Sequence, residues 1–155
     1  LLVKIARTNS IRRAVLTLQR EVVNRLLAEP GSRTYGKLTI LIRILFNVRG
    51  IGVYSPSSFY PEPGVFHEVV VLERKRLYSE EICVLETLTK ILFTQRRRLV
   101  EKVLVSKLGV KINELDQLKS KVVGKRVYML SEDTLLDMAS ILREKGVIIC
   151  TQHQN

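Results

Sequence analysis

The sequence lacks the groupings of cysteine and histidine that would indicate a metal or redox site. Its two cysteines, Cys83 and Cys150, are too far apart for a CxxC motif, and its two histidines, His67 and His153, stand alone. No serine or cysteine signature accompanies either histidine, which argues against a hydrolase. We therefore expect no metal site, and we expect both cysteines to be reduced, half-buried thiols.

Glycine-rich loops and long apolar runs are also missing. An adenosyl or dinucleotide cofactor on an α/β sheet normally needs a glycine-rich turn between a strand and a helix. The nearest match, Gly50-Ile51-Gly52, has Ser55 where a third glycine would stand, so we interpret it as an irregularity within a strand. The opening Leu1-Leu2-Val3 carries no leader-like charge or apolar run, so we expect a soluble, cytoplasmic protein with no membrane span.

Acidic residues are few compared with basic ones. The 155 residues include 26 Lys plus Arg against 15 Asp plus Glu, a formal charge of +11, and 46% of the residues are hydrophobic. The hydrophobic content indicates a folded protein, and the charge favours a polyanionic partner. A solvated basic surface that serves solubility or heat resistance is the alternative.

Hydrophobic periodicity divides the chain near Arg74-Lys75-Arg76 into two predicted domains, residues 1–76 and 77–155. The first part predicts the end of a helix at 1–8, a buried strand at 14–18, a helix at 19–28, a segment at 38–46 favoured as helix, and strands at 48–54 and 68–73. The second part predicts helices at 80–94, 96–108, 113–119 and 132–144, then a frayed tail at 151–155. Ser131 is the predicted N-cap of the last helix and Gly146 its C-cap. This order indicates the tail of an α/β domain followed by a small all-α domain.

Three motifs in the first part are specific enough to indicate a family. They are the run Gln19 to Ser32, the run Tyr35 to Thr39, and Phe59-Tyr60-Pro61-Glu62-Pro63. Together they closely resemble the ribosomal RNA adenine dimethyltransferases, whose pattern reads Q-K-E-V-A-x-R-L-x-A-x-P-G-S-x-x-Y-G-x-L-S and, later, F-x-P-x-P-x-V. The resemblance continues in Leu92 to Arg98 and in Gly124 to Ser131, and the Erm antibiotic-resistance methylases match these later segments less well. We expect the archaeal or eukaryotic branch of the family, and hence the C-terminal part of a Rossmann-like methyltransferase domain before residue 77.

The resemblance implies a reaction and a role for Phe59. Members of the family use S-adenosylmethionine to dimethylate two adjacent adenines near the 3′ end of the small-subunit ribosomal RNA, and the target base must leave its stack to react. Phe59 matches the phenylalanine that provides part of the stacking surface for the adenine. Judged without the resemblance, a core phenylalanine beside a proline turn is the alternative. Gly64, Phe66 and His67 depart from the family pattern, which usually has Lys, Asp and Ser at these positions.

The resemblance also implies that part of the active site lies outside this sequence. The family's cofactor loop and its N-x-P-Y motif both precede the helix with which the chain begins, and no capping residue precedes that helix here. We therefore expect the S-adenosylmethionine site in a missing N-terminal half, no cofactor-binding residue in this chain, and no methylation by the chain alone.

Two basic clusters are candidates for RNA contacts on their residues alone. They comprise Arg96, Arg97, Arg98 and Lys102 in the first and Lys119, Lys121, Lys125 and Arg126 in the second. On a helix from 96 to 108, several of these cations would share one broad face and could approach phosphates together. A solvated face is the alternative for either cluster.

Three functions remain open at this level. The first is part of an rRNA adenine dimethyltransferase, whose expected partner is the small-subunit ribosomal RNA or the pre-ribosomal small subunit. A non-catalytic RNA-binding or ribosome-assembly module is the alternative. A DNA-binding helix-turn-helix in the second part is weaker, because nothing in it is a recognisable reader of base edges.

Overall fold

The computed structural model describes residues 1–151 and places strands only in the first half of that range. In chain order its elements are α1 (Leu2–Arg7), β1 (Arg13–Gln19), α2 (Arg20–Leu26), α3 (Lys37–Leu45), β2 (Phe46–Tyr54), β3 (His67–Arg74), α4 (Glu80–Leu92), α5 (Val100–Leu108), α6 (Lys119–Val122) and α7 (Glu132–Glu144). The predicted α/β part followed by a helical part is therefore confirmed, and α7 has the predicted bounds.

The strands form one antiparallel sheet in the order β1-β3-β2. The central strand β3 pairs with β1 from Arg13 opposite Glu73 to Gln19 opposite His67. It pairs with β2 from Phe46 opposite Arg74 to Tyr54 opposite His67. The β2 register shifts between Gly50 and Gly52, so the predicted strand irregularity is confirmed as a bulge.

The prediction that residues 14–18 are a buried strand is right about the strand and wrong about its burial. Ala14, Leu16 and Leu18 pack against the core, while the alternate side chain of Val15 is 58% exposed. The physical reason is that β1 is an edge strand of an antiparallel sheet, which can bury one face and leave the other in solvent. Short apolar runs do not distinguish one buried face from two.

Helix α3 contributes more buried residues to the core of the first part than any other helix or strand there. Six of its nine residues are buried, which confirms helix over strand for the segment at 38–46. Its first turn is held by Thr39, whose hydroxyl accepts the backbone N–H of Gly36 at 3.2 Å and donates to the carbonyl of Arg25 at 2.7 Å. One continuous hydrophobic cluster runs from α1 and α3 into α4 and α7. The division into domains at residue 76 stays a prediction.

The N-cap of α7 is confirmed, and Gly146 ends the helix one residue beyond the C-cap residue, Lys145. The Ser131 hydroxyl accepts a 3.2 Å hydrogen bond from the backbone N–H of Thr134. Gly146 adopts a φ of 69°, the left-handed conformation that glycine reaches without strain, and its N–H donates to the carbonyl of Arg143 at 2.9 Å.

The predicted helix at 96–108 is wrong in its first third. A short 3-10 turn covers Phe93–Gln95, and α5 begins only at Val100. Between them the backbone forms hydrogen bonds with a distant segment: Val127 N–H donates to the Arg98 carbonyl at 3.1 Å, and Val100 N–H donates to the Lys125 carbonyl at 3.0 Å. These bonds compete with the helical ones, and local sequence gives no sign of them.

The expectation of reduced thiols is also wrong. Cys83, on α4, forms a disulfide with Cys150, which follows α7, and their Cα atoms lie 5.2 Å apart. Such a spacing is normal for a disulfide. The two cysteines are 67 residues apart in sequence, so only the packing of the segment after α7 against α4 brings them together.

Two expected absences concern the described part of the chain alone. No helix in residues 1–151 is long and apolar enough to cross a membrane. The same residues hold no group of three or more His, Cys, Asp or Glu side chains arranged to bind a metal ion. In the predicted tail, residues 152–155, which include His153, lie outside the described residues.

Candidate functional site

Phe59 lies in the loop between β2 and β3, at one end of the sheet. A 3-10 turn at Pro56–Ser58 precedes it, and its N–H donates to the carbonyl of Pro56 at 3.2 Å. The Phe59 ring is half-buried and lies 5.0 Å from the His67 ring between centroids, at an interplanar angle of 52°. The side chain is therefore held against the first residue of β3 while part of it stays accessible.

The loop around Phe59 is tied to the start of α2. The N–H of Arg20 donates a 2.9 Å hydrogen bond to the carbonyl of Phe66. Tyr60 and Phe66 are exposed on either side of the connection, Tyr60 completely so. Of the residues that depart from the family pattern, His67 thus contacts the Phe59 ring, and Phe66 ties the loop to α2 through its carbonyl. The Nδ1 atom of His67 also lies 3.1 Å from the carbonyl oxygen of Val65.

The two predicted basic clusters lie next to each other where the segment around Arg97 contacts Arg126. An isolated β-bridge joins Leu99 to Arg126, and the Tyr128 N–H donates to the carbonyl of Arg96 at 3.0 Å. The Arg126 guanidinium also donates to the carbonyl of Arg97. The hydrogen bonds between these two segments place Arg97 and Arg126 side by side, although 29 residues separate them.

These segments and a turn of the first part enclose a pocket of about 420 Å³, hereafter the arginine pocket. Its lining residues are Gly31, Ser32, Arg33, Arg96, Arg97, Arg126 and Tyr128. The Gly31 N–H donates a 2.8 Å hydrogen bond to the Tyr128 carbonyl, which fixes the turn against the helical part. Four guanidinium-bearing side chains therefore converge on one concave surface.

Arg96 is half-buried and differs from its neighbours in its contacts. Its guanidinium donates to the backbone carbonyls of Arg33, Ser32 and Tyr35 at 2.9, 3.2 and 3.1 Å. It also lies 5.4 Å from the centroid of the Tyr128 ring, within range of a cation–π interaction. Most of its donors thus hold the turn, and its RNA-binding role stays a prediction.

The other candidate cations are exposed and more dispersed. Arg98 donates to the Oε1 of Gln95 at 2.7 Å, and Lys102 lies on α5. Lys119 and Lys121 lie on α6, where the Lys121 ammonium is 3.3 Å from an Asp137 carboxylate oxygen. The structure brings Arg96, Arg97 and Arg126 together in the arginine pocket. The other candidates lie outside it: Arg98, Lys102, Lys119, Lys121 and Lys125. Their roles stay predictions.

Sequence reasoning missed Arg33 and Tyr128 as parts of this site. Tyr128 belongs to the recognised run Gly124 to Ser131, and Arg33 directly follows the run that ends at Ser32. They line the same pocket only because segments almost a hundred residues apart pack together. Neither motif alone predicts that contact. A basic residue next to a glycine turn is the only local signal.

Comparison with known proteins matches nearly all of the chain to one family. The family model described as ribosomal RNA adenine dimethylase matches residues 1–144. The chain is 33% identical over 144 residues to the probable ribosomal RNA small subunit methyltransferase A of Thermococcus sibiricus, covering 88% of this chain and 52% of that protein. The chain thus spans about half the length of the curated relatives it matches.

Solved structures support the fold. A dimethyladenosine transferase from Plasmodium falciparum superposes with a TM-score of 0.78 at 24% identity, covering 96% of this chain and 63% of that one. The 23S rRNA methyltransferase ErmE superposes with a TM-score of 0.62 at 19% identity, covering 90% of this chain and 58% of that one. Both chains belong to methyltransferases, and both are longer than the region they share with this one.

Proposed function

Because the chain belongs to the ribosomal RNA adenine dimethylase family, we propose that it is part of an enzyme that dimethylates two adjacent adenines near the 3′ end of small-subunit ribosomal RNA, with S-adenosylmethionine as methyl donor. The observation that carries the proposal is the family match over residues 1–144, which includes every motif that the sequence shares with the dimethyltransferases. Its cytoplasmic location stays a prediction.

Phe59 is the proposed stacking residue for the target adenine. Transfer to the exocyclic amine of adenine requires the base to leave its stack and to be held against a surface that replaces the lost stacking. A half-buried ring packed against His67 can present such a surface, because a 3-10 turn precedes Phe59 and the carbonyl of Phe66 is bonded to the N–H of Arg20. The partly exposed ring supports this role over that of an ordinary core residue.

The cofactor site is proposed to lie in sequence that precedes this chain in the whole enzyme. The curated relatives are about twice as long as the region that matches, and the described residues carry no glycine-rich cofactor loop. In this proposal the chain supplies the Phe59 side of the adenine site and an RNA-docking surface, and the preceding half supplies the methyl donor. The chain alone then does not methylate RNA.

The RNA-docking surface is proposed to be the basic side of the helical part. Four of its cations are exposed, so they can contact RNA phosphates without a change in the fold: Arg97, Arg98, Lys102 and Lys125. The same surface would serve a non-catalytic ribosome-assembly module, because the arginine pocket needs no cofactor to attract an anion. That module is the second candidate function.

Paired measurements test the proposed enzyme. Isothermal titration with S-adenosylmethionine is carried out on this chain and on a longer protein that includes the preceding coding sequence, and methyl transfer is followed on small-subunit RNA. We expect binding and dimethyladenosine formation by the longer protein only. Micromolar cofactor binding by this chain would contradict the proposed location of the site, and a longer protein that binds RNA without methylating it would favour the assembly module.

A further inference from the structure

His67, the first residue of β3, lies where the sheet meets the Phe59 loop. It is paired with Gln19 of β1 on one side and with Tyr54 of β2 on the other. Cross-strand partners present their side chains on the same face of a sheet, so these three side chains form one row at this end. A strand residue that is paired on both sides provides a more precise base for a functional side chain than a loop residue does.

The His67 ring is itself held in one orientation. Its Nδ1 atom lies 3.1 Å from the carbonyl oxygen of Val65. Because a carbonyl oxygen can only accept a hydrogen bond, Nδ1 carries the proton in this contact. Such a bond fixes the tautomer and restricts rotation of the ring. The imidazole is therefore oriented by the protein backbone before any RNA is bound.

Phe59 lies on the loop, and its ring has a single aromatic neighbour. It is half-buried, and its contact with His67 is the one aromatic contact that it makes within residues 1–151. The ring centroids are 5.0 Å apart and the ring planes are inclined by 52°, within the range in which aromatic pairs attract each other. Ordering a side chain during binding costs free energy, and contact with a ring that is already oriented reduces that cost.

We propose that His67 is a positioning residue for methyl transfer, because it holds the Phe59 ring in the orientation in which the target adenine stacks. The inference rests on the proposed function for the reaction, and it deepens that function by adding a residue to the adenine site. The family pattern usually has a serine at this position, and a serine side chain offers no ring surface to Phe59. The ring pair is therefore a feature of this chain that the shared motif does not supply.

Steady-state methylation by the longer protein that includes the preceding coding sequence tests the role of His67. We expect His67→Ala to lower kcat about fivefold, because the attraction within the ring pair is lost. The KM for RNA should change less than about twofold, since the exposed cations provide most of the affinity. Glu73→Ala is the matched control, an exposed residue at the other end of β3, and its kcat should stay within about twofold of the wild type. An unchanged kcat in His67→Ala, or an effect confined to KM, would overturn the positioning role.

A double-mutant cycle separates positioning from a direct contact between His67 and the RNA. If His67 acts only through Phe59, His67→Ala should lower kcat by less than about twofold in a protein that already carries Phe59→Ala. A further loss of about fivefold in the double variant would show that His67 acts independently of Phe59.

Two other substitutions test whether a ring is needed at this position. His67→Phe keeps a ring and should recover at least about half of the lost rate, whereas His67→Ser should behave like His67→Ala. Wild-type kcat in His67→Ser would contradict the need for a ring. The melting temperatures of His67→Ala and Glu73→Ala should agree within about 2 °C. A rate loss that disappears when the variants are compared at equal distance below their melting temperatures would indicate a structural role only.

NMR on this chain alone supplies an arm that does not depend on catalysis. In ¹⁵N spectra of the neutral imidazole, we expect the proton of His67 on Nδ1, and we expect nuclear Overhauser contacts between its ring and that of Phe59. A proton on Nε2, or the absence of contacts between the rings, would overturn the proposed orientation. If the longer wild-type protein did not methylate RNA, the proposed function would fail together with this role. Methylation that is unaffected by His67→Ala would overturn the role of His67 alone.

Discussion

The Tyr35 hydroxyl donates a 2.8 Å hydrogen bond to the backbone carbonyl of Leu130, and this contact joins the two parts of the chain. Tyr35 is 1% exposed, and its ring centroid lies 6.2 Å from that of Phe93. Leu130 immediately precedes the N-cap of α7, so one side chain from the Pro-Gly turn region anchors the start of the last helix. The arginine pocket depends on the same arrangement, because its walls come from both parts.

Removal of the Tyr35 hydroxyl should therefore loosen the contact between the parts. We expect Tyr35→Phe to lower the free energy of unfolding by about 1–2 kcal/mol, because a buried carbonyl loses its partner. Urea unfolding measures the change. Tyr60→Phe is the control, since the Tyr60 side chain is fully exposed, and an equal loss of stability in both variants would contradict the role of the contact.

Stability should fall with increasing pH in the alkaline range. Burial, and secondarily the Glu132 carboxylate, raises the pKa of Tyr35 well above its ordinary value. Burial, and secondarily the Glu86 carboxylate, raises the pKa of Tyr78 in the same direction. The unfolded chain then releases these protons first, so their contribution is complete below about pH 10 and is lost as the pH rises further. In unfolding measurements from pH 8 to 11, the free energy of unfolding of Tyr35→Phe should decrease less steeply than that of the wild type. Identical pH dependence in the two proteins would show that Tyr35 does not contribute to it.

Phe59 should affect turnover more than RNA affinity. In the longer protein that contains the cofactor half, we expect Phe59→Ala to lower the methylation rate roughly 5- to 150-fold, because base stacking on an aromatic side chain contributes about 1–3 kcal/mol. RNA affinity should change little, since the exposed cations provide most of it. Phe59→Tyr keeps the ring and should retain most of the rate. Unchanged turnover in Phe59→Ala would contradict the stacking role.

Arg74 should be a major determinant of stability. Its guanidinium donates to the carbonyls of Ile11, Ile5 and Thr8 at 2.7, 2.8 and 3.0 Å and lies 4.4 Å from the centroid of the Phe46 ring. We expect Arg74→Met to cost about 3 kcal/mol, because the carbonyls at the end of α1 lose a charged donor.

Two variants control the Arg74 measurement. Arg74→Lys should recover only part of the loss, because an ammonium cannot reproduce the planar fork. Arg49→Met should stay within about 0.5 kcal/mol of the wild type, as expected for an exposed residue. Chemical unfolding of the three variants measures these differences in the free energy of unfolding. Wild-type stability in Arg74→Lys would show that a positive charge alone suffices at this position.

The disulfide should stabilise the helical part. It closes a loop of 67 residues, and Cys150→Ser should therefore lower the free energy of unfolding by about 2–4 kcal/mol under oxidising conditions. Dithiothreitol should destabilise the wild type by a similar amount and leave the variant unchanged. If dithiothreitol destabilised the wild type and Cys150→Ser equally, its effect would not come from reduction of this disulfide.

Local features of the fold were predictable from the sequence because they depend on neighbouring residues. The bounds of α7 follow from Ser131 and Gly146, whose capping geometry is a property of single residues. The bulge in β2 follows from Gly50 and Gly52 within one strand. In contrast, the segment before Val100 carries helix-compatible residues but forms a turn and a single β-bridge, because its backbone forms hydrogen bonds with residues 125–128.

The candidate site shows the same division. Phe59 could be selected because it belongs to a short motif, and the basic residues could be selected by charge. The arginine pocket could not be predicted, because Arg33 and Arg97 are brought together only when the turn after α2 packs against the helical part.

The sequence by itself determined the family, most of the helices and strands, and the Phe59 loop, since these depend on motifs and periodicities within short segments. Tertiary structure alone decided the exposed face of β1, the bond between Cys83 and Cys150, and the meeting of the two basic clusters in one pocket. The physical reason is that each of these depends on contacts between segments far apart in the chain, whose hydrogen bonds and packing override local preference.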